Sequence, residues 1–167
     1  MNGARVFGGP LVFVRPTGGR LKVTTEVASK IAGHLQHEAR APEAGGVLLG
    51  RFIERTRDVV VDTVTEPMPE DRRSRARFFR HRRGHQAVLD EAWRTSGGMT
   101  AWLGEWHTHP QRDPVPSWID RADWRRKLSV DRYDDVLFFL IAGTGRVRVW
   151  EGSRFRPVQP LSLLHDG

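Results

Sequence analysis

The segment Gly104-Glu105-Trp106-His107-Thr108-His109-Pro110, followed by Ser117 and Asp120 in the spacing H-x-H-x7-S-x-x-D, decides how this chain is read. Residues i and i+2 of an extended strand point to one face. A strand from Met99 to Trp106, weakly alternating but rich in bulky residues, therefore runs into the motif and projects His107 and His109 together. Pro110 ends the ladder, and Gln111 to Pro116, with two prolines, is loop. Ser117 opens a helix whose apolar positions are Ile119, Ala122 and Leu128, with Asp120 in its first turn. A strand end and a helix start can place two imidazoles and one carboxylate around one cation. Three protein ligands with one open position is the catalytic zinc arrangement, whereas structural sites are closed by four ligands. The chain has no cysteine, which excludes a thiolate site. Ser117-x-x-Asp120 also has the form of a helix capping box, and capping is compatible with metal binding.

Working outward, the 167 residues suffice for one domain, expected to span 1–167 with a core at about 6–158. Hydrophobic content of 38% with 28% charged residues marks a globular chain. The longest strongly apolar run, Val136 to Gly143, is too short to cross a bilayer, and Met1 to Arg5 lacks a signal-peptide pattern. No membrane partner is expected, and the missing cysteines fit a cytoplasmic protein. A net charge of +7 favours acidic partners, either nucleic acid or an acidic protein.

In chain order, Val6 to Val14 is expected as a strand bent at Gly8-Gly9-Pro10, and Leu21 to Thr24 as a second strand. Thr25 to Arg40 has helical spacing through Val27, Ile31 and Leu35, which puts His34 and His37 on or near its polar side as surface residues. Val47 to Ile53 and Asp58 to Thr65 read as an antiparallel pair around Glu54–Arg57. Glu43 stands at the mouth of the first of these strands, beside Gly45-Gly46, where backbone can approach closely. His85 to Ser96 reads as an amphipathic helix ended by Gly97-Gly98. Val136 to Ala142 reads as a strand buried on both faces, followed by a strand at Arg146–Trp150 and an edge at Arg154–Val158. Most of the six tryptophans are assigned to the core.

Glu66 to Gly84 has no periodicity and is strongly basic through Arg72, Arg73, Arg75, Arg77, Arg80, Arg82 and Arg83, interrupted by Phe78 and Phe79. It reads as a solvated loop or a frayed helix entry. As a binding element, Arg72, Arg73, Arg75, Arg77, Phe78 and Phe79 would dock an acidic protein or contact phosphate. Arginine rather than lysine suits planar, bidentate recognition.

Glu43 before Gly-Gly-Val-Leu-Leu-Gly, then Gly-Glu-Trp-His-Thr-His-Pro and Ser117-x-x-Asp120, resemble the JAB/JAMM (MPN-plus) metalloprotease family. The similarity runs from about Val6 to Trp150 and is greatest to the compact prokaryotic JAB proteins. Some of these occur in integrative elements and antiphage operons beside ubiquitin-activating-like and ubiquitin-conjugating-like enzymes. The resemblance implies a single α/β (α+β) domain of cytidine-deaminase-like architecture, with a curved, mostly antiparallel sheet flanked by helices. It implies that His107, His109 and Asp120 bind one zinc ion, that Glu43 is the acid/base and that Ser117 steadies the tetrahedral intermediate. It also implies hydrolysis of a peptide or isopeptide bond at the C-terminus of a ubiquitin-like or similarly conjugated protein.

One residue departs from the family pattern. Many members carry an aromatic residue two positions before the first histidine, where this chain has Glu105. Strand parity puts Glu105 on the side of the histidines, as an acceptor for an imidazole N–H or a competitor of Glu43 for the base role. Two other functions remain open at this point. One is a zinc peptidase with an unrelated substrate, such as a sulfur-carrier precursor. The other is a scaffolding or nucleic-acid-associated module that has kept only the fold.

Overall fold

A computed structural model describes residues 7–130 and 136–164. Val6 and Met1–Arg5, on which two of the expectations fall, lie outside the described residues. In chain order the elements are β1 (Leu11–Val14), β2 (Arg20–Val23), α1 (Thr25–Ala32), β3 (Gly45–Phe52), β4 (Val59–Val64), β5 (Arg72–Ser74), β6 (Arg77–Phe79), α2 (Arg82–Thr95), β7 (Ala101–Thr108), α3 (Trp118–Val130), β8 (Leu137–Ala142), β9 (Val147–Ser153), β10 (Arg156–Pro160) and β11 (Ser162–Leu163). Among the described residues, nine strands form one sheet in the order β10-β9-β8-β7-β3-β4-β2-β1-β11, and β5-β6 form a separate hairpin. Within the sheet, β2–β4 and β7–β8 are parallel pairs, and the other pairs are antiparallel. This is the α+β architecture that the family resemblance implied.

β8 shows why the sheet is central. All six of its residues are buried. Phe138, Leu140 and Ala142 enter one core with α1 residues Val27, Ala28 and Ile31. Leu137, Phe139 and Ile141 enter another with Trp124 and Leu128 of α3. A strand covered on both faces needs apolar residues at every position, which is the unbroken run seen in the sequence. Trp124 stacks on Phe139 with ring centroids 4.7 Å apart, which fixes α3 against the sheet.

β7 alternates weakly because its ladder with β3 shifts register between Leu48 and Leu49, which pair with Gly104 and Trp102. The extra residue is Leu103. It turns Trp102 toward the α3 core while Leu103 and Trp106 face the α1 core. Such a bulge resets side-chain parity. It works here because Gly104 has φ 143°, and a Cβ at that position would stand 1.8 Å from the Phe138 carbonyl oxygen.

Several boundaries differ from the sequence expectations. α1 stops at Ala32, where Gly33 donates its N–H to the Ser29 and Lys30 carbonyls. The segment up to Arg40 is therefore not helix, because glycine is a poor helix former and caps well. His34 lies beyond the helix, paired with Glu66 at 2.9 Å and 5.9 Å from the Trp106 ring; His37 is exposed. The first strand begins only at Leu11, after the bend at Gly8-Gly9. The basic segment is loop at both sides of the β5–β6 hairpin, which takes Arg72–Phe79, and its last arginines, Arg82 and Arg83, open α2. Trp106, Trp124 and Trp150 are buried as expected, whereas Trp93 and Trp118 are 59% and 77% exposed.

Candidate metal centre

β7 delivers His107 at its end, and His109 follows one residue beyond it. His109 stays in register because its N–H donates to the Ala142 carbonyl of β8. α3 delivers Asp120 in its first turn. The Ser117 N–H donates to Asp120 Oδ2 at 2.6 Å, and the Asp120 N–H donates to Ser117 Oγ at 3.1 Å. Capping box and metal motif are thus one structure, in which the cap fixes the carboxylate that faces the histidines. Ser117 Oγ accepts in the cap, and its hydroxyl proton has no acceptor among the described residues.

The three side chains converge. Nε2 of His107 lies 3.0 Å from Nε2 of His109. Asp120 Oδ1 and Oδ2 lie 3.3 Å from the His107 and His109 Nε2 atoms respectively. For bonds of about 2.0–2.1 Å in a tetrahedral array, neighbouring ligand atoms stand about 3.3 Å apart, so the triangle has the size a zinc-like cation needs. Its chemistry also fits. His109 Nδ1 faces Gln111 Oε1 at 3.4 Å, which favours a proton on Nδ1 and turns the Nε2 lone pair inward. Converging lone pairs with no donor between them call for a cation or a proton at their centre. Without a cation, burial alone would lower His109, but the Asp120 carboxylate outweighs it and raises the ring above its ordinary value. Burial likewise pushes Asp120 up, yet the two imidazoles and the Ser117 amide hold it far below the carboxylate range.

Glu43 arrives from the segment before β3. Gly45 pairs with His107 in the β3–β7 ladder, so the chain enters the sheet beside the first histidine. Its carboxylate Oε1 stands 3.9 Å from His109 Nε2 and is buried. Burial raises the carboxyl to about 7; His109 opposes that shift and Asp120 adds to it. The close approach needs a glycine, since a Cβ on Gly45 would meet the Phe78 ring at 2.6 Å and the Trp106 carbonyl at 2.7 Å.

Glu105 does not take the role expected from strand parity. It lies in the same cleft, but its carboxylate binds Lys127 of α3, and Arg80 Nη2 is 3.0 Å away. The Arg80 contact is one of charge without hydrogen-bond alignment. No hydrogen bond joins Glu105 to an imidazole among the described residues. The two nearby cations outcompete a neutral ring for an anionic acceptor. The cleft, about 280 Å³, is floored by β7 and walled by the hairpin and α3, with Phe78, Arg77, Ile119 and Lys127 among its lining.

The arginine segment divides into two parts. Arg72, Arg75, Arg77 and Phe79 are exposed on the hairpin. Arg73 is exposed as well, but its Nε donates to the Glu43 carbonyl at 2.8 Å, and half-buried Phe78 covers Gly45, so these two also touch the site. The sequence reading missed Gln36, buried and hydrogen-bonded to Thr108 and to two carbonyls. It also missed Gln111 and His85. Only Gln111 carried a usable signal, its position two residues after His109.

Residues 24–154 match the family described as prokaryotic homologs of the JAB domain. The chain is 34% identical over 146 residues to a CD-NTase/cGAS isopeptidase of Vibrio cholerae serotype O1, spanning 87% of this chain and 89% of the relative. It is 37% identical over 138 residues to a protein of the same name from Pseudomonas aeruginosa, spanning 75% and 82%. Its fold resembles the solution structure of protein DSY2949 from Desulfitobacterium hafniense, with a TM-score of 0.57, 22% identity and coverage of 83% and 87%.

Proposed function

The chain belongs to the prokaryotic JAB-domain family, and from that premise we propose that it is a zinc-dependent isopeptidase that releases a conjugated protein. The observation that carries the reading is the meeting of His107, His109 and Asp120, whose ligand atoms lie within 4.8 Å of one another, with a buried Glu43 carboxylate 3.9 Å from His109. When bound, zinc polarises a scissile carbonyl and acidifies water. Glu43 takes a proton from the attacking water and passes it to the departing amine as the C–N bond breaks. The Ser117 hydroxyl donates to the oxygen that gains charge in the transition state. The partial burial of the site lowers the local dielectric and strengthens both contacts.

The relatives' name supplies the substrate we propose: a CD-NTase-type enzyme joined to another protein by an isopeptide bond. The cleft between hairpin and α3 receives the chain that leads to the scissile carbonyl. Arg72, Arg75, Arg77 and Phe79 on the outer hairpin dock an acidic face of the conjugate. The test is to incubate the protein with an isopeptide-linked CD-NTase conjugate and to read both products by intact mass. Appearance of a free C-terminal carboxylate and a free lysine amine supports the reading. An uncut conjugate, in the presence of added zinc, rejects it.

A further inference from the structure

A buried side chain outside the metal motif ties together three segments of the site. Gln36 is 3% exposed and lies beyond the end of α1. Its Oε1 accepts from the Thr108 hydroxyl at 3.0 Å. Its Nε2 donates to the Ala41 carbonyl at 2.9 Å and the Arg75 carbonyl at 3.0 Å. Thr108 is the residue between the two histidines. Its Oγ1 accepts from the Ala44 N–H at 2.9 Å, and its own N–H donates to the Ala44 carbonyl at 2.9 Å. Ala44 is the residue after Glu43, Ala41 stands two residues before Glu43, and Arg75 is in the turn of the β5–β6 hairpin.

The hairpin holds Glu43 directly as well. The Glu43 N–H donates to the Ser74 carbonyl at 2.7 Å, and Arg73 Nε donates to the Glu43 carbonyl at 2.8 Å. Glu43 belongs to no regular element, so a sheet ladder does not fix its backbone. It is fixed instead from both sides, by Thr108 through Ala44 and by the hairpin through Ser74 and Arg73. One buried amide, Gln36, joins those two supports.

We infer that Gln36 is a positioning residue that sets Glu43 against the His107–His109 pair, with Arg73 as the second, outer fastening. This rests on the isopeptidase reading for its consequence in turnover, but not for its structural content. A shift of about 1 Å in a reacting group costs about a hundredfold in rate. The buried Thr108 hydroxyl and the Ala41 and Arg75 carbonyls would also lose their partners if Gln36 were apolar, which frees the segment to move.

The experiment uses Gln36→Met, which keeps most of the volume and removes all three hydrogen bonds, and Arg73→Ala, which removes the outer one without opening the interior. Amide hydrogen exchange is followed at Glu43, Ala44 and Thr108, with β8 residues 137–142 as the internal reference, and turnover of the conjugate is measured beside zinc content. The expected result is a fall of tenfold or more in protection at Glu43 and Ala44 in both variants while β8 is unchanged. For Gln36→Met, kcat drops about 10- to 100-fold with KM within about twofold and zinc content intact. Unchanged protection at Glu43 and Ala44 overturns the inference. Protection lost equally across β8 overturns it too, because Gln36 would then only stabilise the fold. If the wild-type protein cuts no conjugate, the functional reading fails, and the exchange comparison still decides the placement of Gln36.

Discussion

The Glu43 carboxylate lies 3.9 Å from His109 Nε2, although the two residues come from opposite sides of the β3–β7 pair. The register that brings Gly45 opposite His107 is what carries the acid to the imidazoles. Glu43→Gln should therefore lower kcat by about 10²- to 10⁴-fold with zinc content by elemental analysis unchanged. Glu105→Gln, whose carboxylate is spent on Lys127 and Arg80, should keep kcat within about threefold. Large loss in Glu105→Gln with Glu43→Gln active would reverse the assignment.

Glu43 should also cost stability when the protein is stripped of metal. Its folded pKa is raised from 4.5 to about 7. The native state then keeps a proton that the unfolded chain releases, so stability falls as pH rises between those values. Glu43→Gln lacks this penalty. In chelator at pH 8 the variant should exceed wild type by up to about 3 kcal/mol, and at pH 5 the two should be nearly equal. Urea unfolding at both pH values measures it, and an equal difference at both would show that burial does not perturb this carboxyl.

Asp71 gives the opposite pH dependence. It accepts from the Met68 and His81 amides and from His85 Nε2. His85 in turn meets Thr65 Oγ1 at 2.5 Å, anchoring α2 to the end of β4. Burial pushes Asp71 up, but these donors hold it below its ordinary 3.8. Its contribution is complete above about pH 4 and is lost as pH falls through the lower folded value. Asp71→Asn should cost about 1–3 kcal/mol at pH 7 and flatten the acid limb of the stability curve. An acid limb as steep as wild type would contradict the role.

Gly104→Ala tests the bulge in β7. The positive φ and the contact with the Phe138 carbonyl should cost roughly 3 kcal/mol or more in denaturant unfolding. Gly9→Ala, with open space around the site, should stay within about 0.5 kcal/mol of wild type. Similar values for the two would mean that β7 carries no bulge.

Charge reversal on the outer hairpin separates docking from chemistry. Arg72→Glu with Arg75→Glu, both exposed and outside the cleft lining, should raise KM for a protein conjugate about tenfold or more and leave kcat near wild type. Cleavage of a short isopeptide should be unaffected. A loss confined to binding of duplex DNA, with its steep salt dependence, would assign the arginines to nucleic acid instead.

How much of this was legible in the sequence depends on the kind of signal. His107, His109, Ser117 and Asp120 are close in the chain, and strand parity with a capping pattern brings them together locally. β8 was legible because burial on both faces leaves no polar position. The weak alternation of β7 was visible, but its cause was not, since a bulge shows only in the pairing register. Glu43 carried no local signal of its own and was found through resemblance. Gln36 could not be found, because two of its three partners are backbone carbonyls that any residue supplies and the third, Thr108, is 72 positions away. The hairpin was hidden by its arginines, whose side chains face solvent and leave no apolar period. Glu105 was placed on the correct face, but parity does not reveal that Lys127, a full helix away, reaches it first.

The most direct test of the central claim is zinc reconstitution. The protein is stripped with chelator, zinc is added back in measured steps, and cleavage of an isopeptide-linked conjugate is recorded beside bound zinc. The account requires no turnover in the stripped protein, a linear rise that ends at one zinc per chain, and loss of both zinc and turnover in Asp120→Ala. Turnover that survives chelation, or a protein that binds no zinc with His107, His109 and Asp120 intact, would contradict it.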